Sequence, residues 1–168
     1  IYSALSQDKN PFMIRYPRSS SFKFDERGQA EIIPLGNWEK VLTGKDIAIL
    51  AVGSMVKPSL EAANELVKAS ISCEVINCRF IKPMDEKYLK TILKKFKNIV
   101  TVEEGVLNGG FGSGVAGWLT DNNYTGDLKR IGIPNEFITH GDRNKLLNEI
   151  GLDKISIATT IKDFLKII

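Results

Sequence analysis

Two arginines near the amino terminus, Arg15 and Arg18, have the residue type and spacing that best suit ligand binding. They belong to the run Ile-Arg-Tyr-Pro-Arg, which predicts a short strand over residues 12–16 that is stopped by Pro17. We expect the guanidinium of Arg18 to emerge at the end of that strand, where a rigid, fork-shaped cation suits a phosphate dianion. A salt bridge at a domain interface is the alternative use of this pair.

Two adjacent carboxylates, Glu103 and Glu104, follow an apolar strand and precede a glycine-rich stretch. Neighbouring strand residues point to opposite faces, so the two side chains do not form a general acid/base pair. The run from Gly112 to Gly117 satisfies G-x-G-x-x-G, but it begins about nine residues after the strand and no acidic residue ends the next strand, contrary to a dinucleotide fingerprint. We expect a close-packing turn whose amides are bound by one of the glutamates.

The other reactive side chains are few. His140, the only histidine, precedes a helix start, and we expect a structural role because no serine or cysteine nucleophile is placed to use it. Cys73 and Cys78 lie at an odd offset along one predicted strand, which favours two buried free thiols on opposite faces over a disulfide. The sequence therefore predicts no metal site and no catalytic group in this segment.

Apolar runs that alternate with helical patterns position these groups from residue 45 onward. Strands are predicted at residues 46–52, 73–78, 98–102 and 128–133. Helices are predicted at residues 55–69, 85–97, 141–150 and 156–165, with a further helix that follows the glycines and ends near residue 121. Ser54 and Asp85 are the expected caps of the first two helices. The buried face of the first helix is expected to consist of residues 56, 60, 63 and 67. The pattern predicts an α/β fold: an open, mostly parallel sheet with helices on both faces.

The chain divides into three stretches. Residues 1–20 are expected to end a preceding domain, residues 21–44 to form an interdomain connector with short extended pieces, and residues 45–168 to form the α/β domain. Because the sequence begins in mid-pattern at Ile1, we expect a longer polypeptide. Four apolar side chains should pin the connector to a neighbouring surface: Ile32, Ile33, Leu35 and Trp38.

Composition excludes some functions. A net charge of +3 over 168 residues gives no reason to expect a nucleic-acid partner. No apolar run approaches the roughly 20 residues that a membrane span needs, so no membrane association is expected. With 43% hydrophobic residues, the chain can build one core of ordinary domain size.

Several motifs occur in a fixed order along the chain. They are Ile-Arg-Tyr-Pro-Arg at 14–18, Pro-Leu-Gly at 34–36, Ile-Ala-Ile-Leu-Ala-Val-Gly-Ser-Met-Val at 47–56, Arg-Phe-Ile-Lys-Pro-Met-Asp at 79–85, Val-Glu-Glu-Gly-Val-Leu-Asn-Gly-Gly-Phe-Gly-Ser at 102–113, and Phe-Ile-Thr-His-Gly at 137–141. Together they closely resemble the C-terminal part of the 1-deoxy-D-xylulose-5-phosphate synthase family, which are transketolase-like thiamine diphosphate enzymes. The resemblance implies a transketolase C-terminal-like domain, preceded by the last strand of the pyrimidine-binding domain.

This resemblance also implies a function. The family consists of homodimeric transferases that use thiamine diphosphate and Mg²⁺ to decarboxylate pyruvate and to transfer the two-carbon unit to glyceraldehyde 3-phosphate, a step toward isoprenoids, thiamine and pyridoxal. An arginine of the Arg-Tyr-Pro-Arg motif contacts the substrate phosphate in this family, a role that we place on Arg18 with Arg15 as runner-up. Ser19 stands where the family usually has glycine. The cofactor, metal and catalytic residues lie upstream, so this segment alone is expected to bind neither thiamine diphosphate nor Mg²⁺ and to be inactive.

Two alternatives stay open at this point. The domain could belong to another transketolase-like enzyme, such as a transketolase or a 2-oxoacid dehydrogenase subunit, and act there only as an interaction module that supports a dimer. The Lys-, Asn- and Ile-rich composition favours a bacterial cytoplasm, with a plastid as the alternative compartment.

Overall fold

Strands and helices alternate along most of the chain. The structure is a computed structural model, and it describes residues 1–7, 10–16, 28 and 30–166. The strands are β1 (Glu39–Leu42), β2 (Ile47–Ala51), β3 (Cys73–Asn77), β4 (Asn98–Val106) and β5 (Asp127–Ile133). The helices are α1 (Tyr2–Leu5), α2 (Val56–Val67), α3 (Glu86–Lys95), α4 (Phe111–Asp121), α5 (Arg143–Glu149) and α6 (Lys154–Phe164).

The strands form one sheet in the order β1-β3-β2-β4-β5. Strands β2 to β5 are parallel, and β1 lies antiparallel to β3 at one end of the order. Every residue of β2 is buried, as expected for a central parallel strand that is covered on both faces. The parallel strands therefore end on the same side of the sheet. We call this side, with the loops that follow β2, β3, β4 and β5, the carboxyl edge.

Helices cover both faces of the sheet and close an apolar layer on each. The first layer includes buried residues of α2, α5 and α6, and the second includes buried residues of α3 and α4. Cys73 lies in the first layer and Cys78 in the second, and both are free thiols. The predicted α/β architecture is confirmed, and so is the prediction of two buried thiols on opposite faces of β3.

The region before β2 differs most from expectation. Residues 12–16 form no strand, contrary to the prediction, because a strand needs a hydrogen-bonded neighbour and no described residue pairs with this run. Strand β1 was not predicted, since its four residues are only exposed or half-buried, as is typical of an edge strand. Trp38 is buried, as expected of a residue that pins the connector, whereas Ile32 and Leu35 are exposed. The domain boundaries at residues 20 and 44 stay predictions.

Helix α2 buries a face that only partly overlaps the predicted one, since Ala63 is buried and Leu60 packs against the core as expected. Its buried residues are Ser59, Ala62, Ala63 and Leu66, and Val67 is 62% exposed. Both faces fit a helical period, so the contacts of α2 with β3 and α6 decided between them. A 3-10 turn over Gly53–Met55 precedes α2, and no side chain caps the helix, so the expected cap by Ser54 is wrong.

The other helix starts follow the expected chemistry. Asp85 caps α3 as predicted, because its Oδ1 accepts the amide of Tyr88 at 2.9 Å. Asp142 and Asp153 cap α5 and α6 in the same way, so that α6 begins at Lys154 rather than at residue 156. Of the helices described, none is long and apolar enough to cross a membrane.

Candidate functional site

The glycine-rich stretch after β4 is bound by the carboxylate of Glu103. Its Oε2 accepts the amide of Phe111 and its Oε1 accepts the amide of Gly112, each at 2.8 Å, and the residue is only 5% exposed. These two amides open α4, where a dinucleotide phosphate would otherwise bind. The prediction that one glutamate binds the amides of this stretch is confirmed. Because the carboxylate of Glu103 accepts these amides, they are not available to the phosphate of a dinucleotide.

The glycines of this stretch have two different roles. A Cβ added to Gly110 would lie 2.3 Å from the carbonyl oxygen of Val106, and one added to Gly112 would lie 2.5 Å from Thr101 Oγ1. Gly114 and Gly117, in contrast, would place an added Cβ in open space, with no atom within 4 Å. The close-packing interpretation is therefore confirmed for the first pair and wrong for the second, which lies on the exposed side of α4.

A second network fixes the loop between β4 and α4. Arg130 Nη1 donates to the carbonyl oxygen of Leu107 at 2.9 Å and to Ser113 Oγ at 2.8 Å. Ser113 Oγ in turn donates to the Leu107 carbonyl at 2.6 Å and accepts the amide of Gly109 at 3.2 Å. Sequence reasoning missed this network, since Arg130 sits within β5 and nothing local to it indicates a partner 23 positions away.

Glu104 forms its hydrogen bonds at the carboxyl edge and not with the glycine-rich stretch. Its Oε2 accepts the hydroxyl of Ser54 at 2.6 Å, and its Oε1 accepts Nε of Arg143 at 3.0 Å. Nη2 of Arg143 also donates to Oε2, which makes the ion pair bidentate. One carboxylate thus joins β4 to the turn after β2 and to the first residue of α5. The two glutamates thus contact different partners, as expected of neighbouring strand residues that point to opposite faces.

The charges around Glu104 stabilise its ionised form. Burial alone would raise the pKa of the Glu104 carboxyl, but hydrogen bonds from Arg143 and Ser54 and the positive charges of Arg143 and Arg15 outweigh it. The net effect lowers the pKa of Glu104 below its ordinary value. Glu104 is therefore ionised at neutral pH and paired with Arg143.

Arg15 lies at this same edge, although residues 12–16 form no strand. Its Nη2 is 3.5 Å from the carbonyl oxygen of Glu104. Three residues earlier, the ring of Phe12 meets the ring of Phe80 edge-on at 6.3 Å, beside the loop after β3. The segment around Arg15 therefore crosses the carboxyl edge from β3 toward β4. Arg18 lies outside the described residues.

Sequence reasoning did not single out Arg79, a third arginine of this edge. It follows β3, donates from Nη2 to Asn37 Oδ1 at 3.0 Å, and has Nη1 3.6 Å from Glu39 Oε2. Its Nε is buried without a hydrogen-bond partner. An arginine directly after a buried parallel strand was the signal that could have found it.

His140 and the acidic residues offer no second site. His140 is exposed in the loop before α5, so the structural role expected for it gains no support. Among the described residues, no group of three or more His, Cys, Asp or Glu side chains is arranged to hold a metal ion. The chemistry that this edge supports is the recognition of an anion by guanidinium groups, one of which, Arg143, is already paired with Glu104.

Comparisons with known proteins agree with this architecture. The profile of the family "Transketolase, C-terminal domain" matches residues 36–157. The 1-deoxy-D-xylulose-5-phosphate synthase of Geobacillus sp. (strain WCH70) is 44% identical over 165 residues, and that of Bacillus cereus (strain AH187) is 41% identical over 162 residues. Each match covers 96% of this chain but only 26% of the relative, so the chain spans about a quarter of the length of these proteins.

Solved structures give the same result for the fold. One is a split-gene transketolase, described as an "inactive beta4 tetramer", which superposes with a TM-score of 0.75 at 28% identity. The match covers 82% of this chain and 45% of that one. The H261F mutant of transketolase from Pichia stipitis has a likeness in fold alone, with a TM-score of 0.58 at 19% identity over 76% of this chain and 18% of that one. On its sequence profile and its fold, the chain belongs to the family of the transketolase C-terminal domain.

Proposed function

We propose that this chain is the C-terminal part of a thiamine diphosphate-dependent transferase of the 1-deoxy-D-xylulose-5-phosphate synthase type. Such an enzyme condenses pyruvate with glyceraldehyde 3-phosphate to 1-deoxy-D-xylulose 5-phosphate and releases CO₂. The observation that carries the proposal is the 44% identity to a protein of that name over 96% of this chain. The order of the six sequence motifs supports the same assignment.

Thiamine diphosphate and Mg²⁺ are assigned to residues outside this chain. The described residues offer no metal-binding group, and the carboxylate of Glu103 takes up the amides of α4 that could otherwise receive a diphosphate. The contribution of this segment is to support a homodimer and to supply arginine for the substrate phosphate, in a bacterial cytoplasm or, alternatively, a plastid.

Arg18 and Arg15 are the proposed phosphate-binding residues. Support for Arg15 comes from its place at the carboxyl edge, where α/β proteins bind ligands. Among the described residues, its guanidinium makes one hydrogen bond, at 3.5 Å to a carbonyl oxygen, which uses one of its five donors. Arg18 stays a prediction from the sequence, because it lies outside the described residues.

The experiment measures both substrates in the complete polypeptide that contains this segment, with Arg18→Ala and Arg15→Ala as separate variants. Loss of a charged hydrogen bond to phosphate should raise KM for glyceraldehyde 3-phosphate by roughly 10- to 100-fold and leave KM for pyruvate nearly unchanged. Lys90→Ala, which removes an exposed cation from α3, is the control and should change neither value.

Three results would count against the proposal. Equal loss for both substrates would make the arginines structural, and unchanged KM values would move the phosphate site elsewhere, with Arg79 as the next candidate at this edge. Turnover of sugar phosphates without consumption of pyruvate would assign the polypeptide to transketolase instead.

A second candidate function is an interaction module without a binding site of its own. It is favoured by the similarity to the split-gene transketolase, whose structure is described as an "inactive beta4 tetramer". If this module were the whole role of the chain, substitutions at Arg15 and Arg18 would alter assembly rather than the KM for either substrate. Sedimentation of the same variants therefore separates the two functions.

A further inference from the structure

The cluster around Glu104 joins three segments that are far apart in the sequence. Ser54 follows β2, Glu104 lies in β4 and Arg143 opens α5, so that the hydrogen bonds span 50 and 39 positions. Both oxygens of the carboxylate are engaged, and the position of Glu104 is therefore fixed from two sides. Arg15 approaches the same residue through its carbonyl oxygen.

In the described part of the chain, the contact with Glu104 is the one hydrogen bond of Arg15. Its segment forms no strand, and its contact with Glu104, at 3.5 Å, is at the outer limit of a hydrogen bond. The register of β4 with β5 shifts between Val102 and Val106, so the anchors of the Glu104 side chain help to fix the carbonyl oxygen that Arg15 approaches. The place of Arg15 thus depends on where Glu104 is held.

The charge balance of the cluster leaves one positive group for a ligand. Glu104 and Arg143 form a bidentate pair and neutralise each other. In the described part of the chain, no carboxylate forms an ion pair with Arg15, whose charge remains available to an anion at the carboxyl edge.

We propose that Glu104 is a positioning residue, which, held by Ser54 and Arg143, fixes Arg15 for binding the phosphate of the acceptor substrate. The inference rests on the proposed function, because it assumes that Arg15 binds that phosphate. It adds a determinant of specificity, since Glu104 would affect the binding of phosphorylated acceptors and not the binding of pyruvate.

The test uses Glu104→Gln in the complete polypeptide that contains this segment. The amide keeps the size of the side chain but loses the charge and one of the acceptors of the Arg143 pair. KM for glyceraldehyde 3-phosphate should rise roughly 3- to 10-fold, the effect of one partly exposed charged contact, while KM for pyruvate and for unphosphorylated glyceraldehyde changes less than about 2-fold. Glu61→Gln, the same change on the outer side of α2, is the matched control and should leave all three values unchanged.

A double variant tells whether Glu104 acts through Arg15. If it does, adding Glu104→Gln to Arg15→Met should raise KM no further than Arg15→Met does alone. If Glu104→Gln is poorly soluble, Arg143→Lys breaks the bidentate pair from the other side and carries the same expectation.

The outcomes separate this inference from the proposed function. If Arg15→Met raises KM for the phosphorylated acceptor but Glu104→Gln leaves it unchanged, lowers it or adds independently to it, the positioning role is overturned and the proposed function stands. An equal loss for phosphorylated and unphosphorylated acceptors would also overturn the positioning role. If Arg15→Met itself leaves KM unchanged, the positioning role is overturned, and phosphate binding in the proposed function then rests on Arg18.

Discussion

The glycines of α4 provide a prediction in which one chemical change should have opposite effects at neighbouring positions. We expect Gly114→Ala and Gly117→Ala to stabilise the chain and Gly112→Ala to destabilise it. All three positions lie within Phe111–Asp121, but only Gly112 faces the sheet, where an added Cβ would lie 2.5 Å from Thr101 Oγ1. At Gly114 and Gly117 no atom lies within 4 Å of an added Cβ.

The magnitudes follow from helix propensity and packing. Replacing glycine by alanine inside an exposed helix stabilises it by about 0.8–1.0 kcal/mol, because alanine loses less backbone entropy on folding. At Gly112 the smaller gain of a first-turn position is opposed by overpacking against Thr101, a buried residue of β4, and by the side chain of Arg130 at 3.2 Å. Overpacking of this kind costs about 1–3 kcal/mol, so the net destabilisation should be roughly 1–2 kcal/mol.

Urea denaturation followed by circular dichroism measures these differences. With an m value of about 2 kcal/mol/M, the midpoint should rise by roughly 0.4–0.5 M for each exposed glycine and fall by roughly 0.5–1 M for Gly112→Ala. A lower midpoint for Gly114→Ala or Gly117→Ala would refute the assignment of these positions to an open face. A stable Gly112→Ala variant would refute the close contact with Thr101.

Two further predictions concern titratable groups. Because the pKa of Glu104 lies below its ordinary value of 4.5 in the folded chain, its stabilising effect is complete above that pH and is lost as the pH falls through the folded pKa. Glu104→Gln should therefore be less stable than the parent chain near pH 7, and urea titrations should show this difference in stability becoming smaller as the pH falls below 4.5; a constant difference would contradict the charge effect. Burial raises the pKa of Cys73 to about 12 and also raises that of Cys78, so neither thiol should react with a disulfide reagent near pH 8 until the chain is unfolded, and rapid labelling of the native chain would contradict their burial.

Local sequence patterns were sufficient for most of the fold. The continuous apolar run of β2 indicated a strand covered on both faces, and the odd spacing of Cys73 and Cys78 placed the two thiols in different layers. Asp85 was recognisable as a cap because capping depends on residues within one helical turn. The motifs also indicated the family. Each of these properties, and each single motif, depends on residues that are close in the chain.

Other features depended on partners that are distant in the chain. Nothing near Glu103 or Glu104 in the sequence says which of them binds the amides of α4. The two residues are of the same type and differ only in the face of the sheet to which their side chains point. Ser54 fits a helix cap equally well by sequence, yet it donates to a carboxylate 50 positions away. The buried face of α2 was likewise decided by contacts with β3 and α6.

The sequence by itself therefore determined the α/β class, the family and the presence of arginines suited to a phosphate. Only the tertiary structure decided that Glu103 is committed to the glycine stretch and that Glu104 links Arg143 and Ser54 beside Arg15. The physical reason is that secondary structure follows from periodicity and caps within a few residues, whereas the charge and hydrogen-bonding partners at the carboxyl edge come together only when separate strands end side by side.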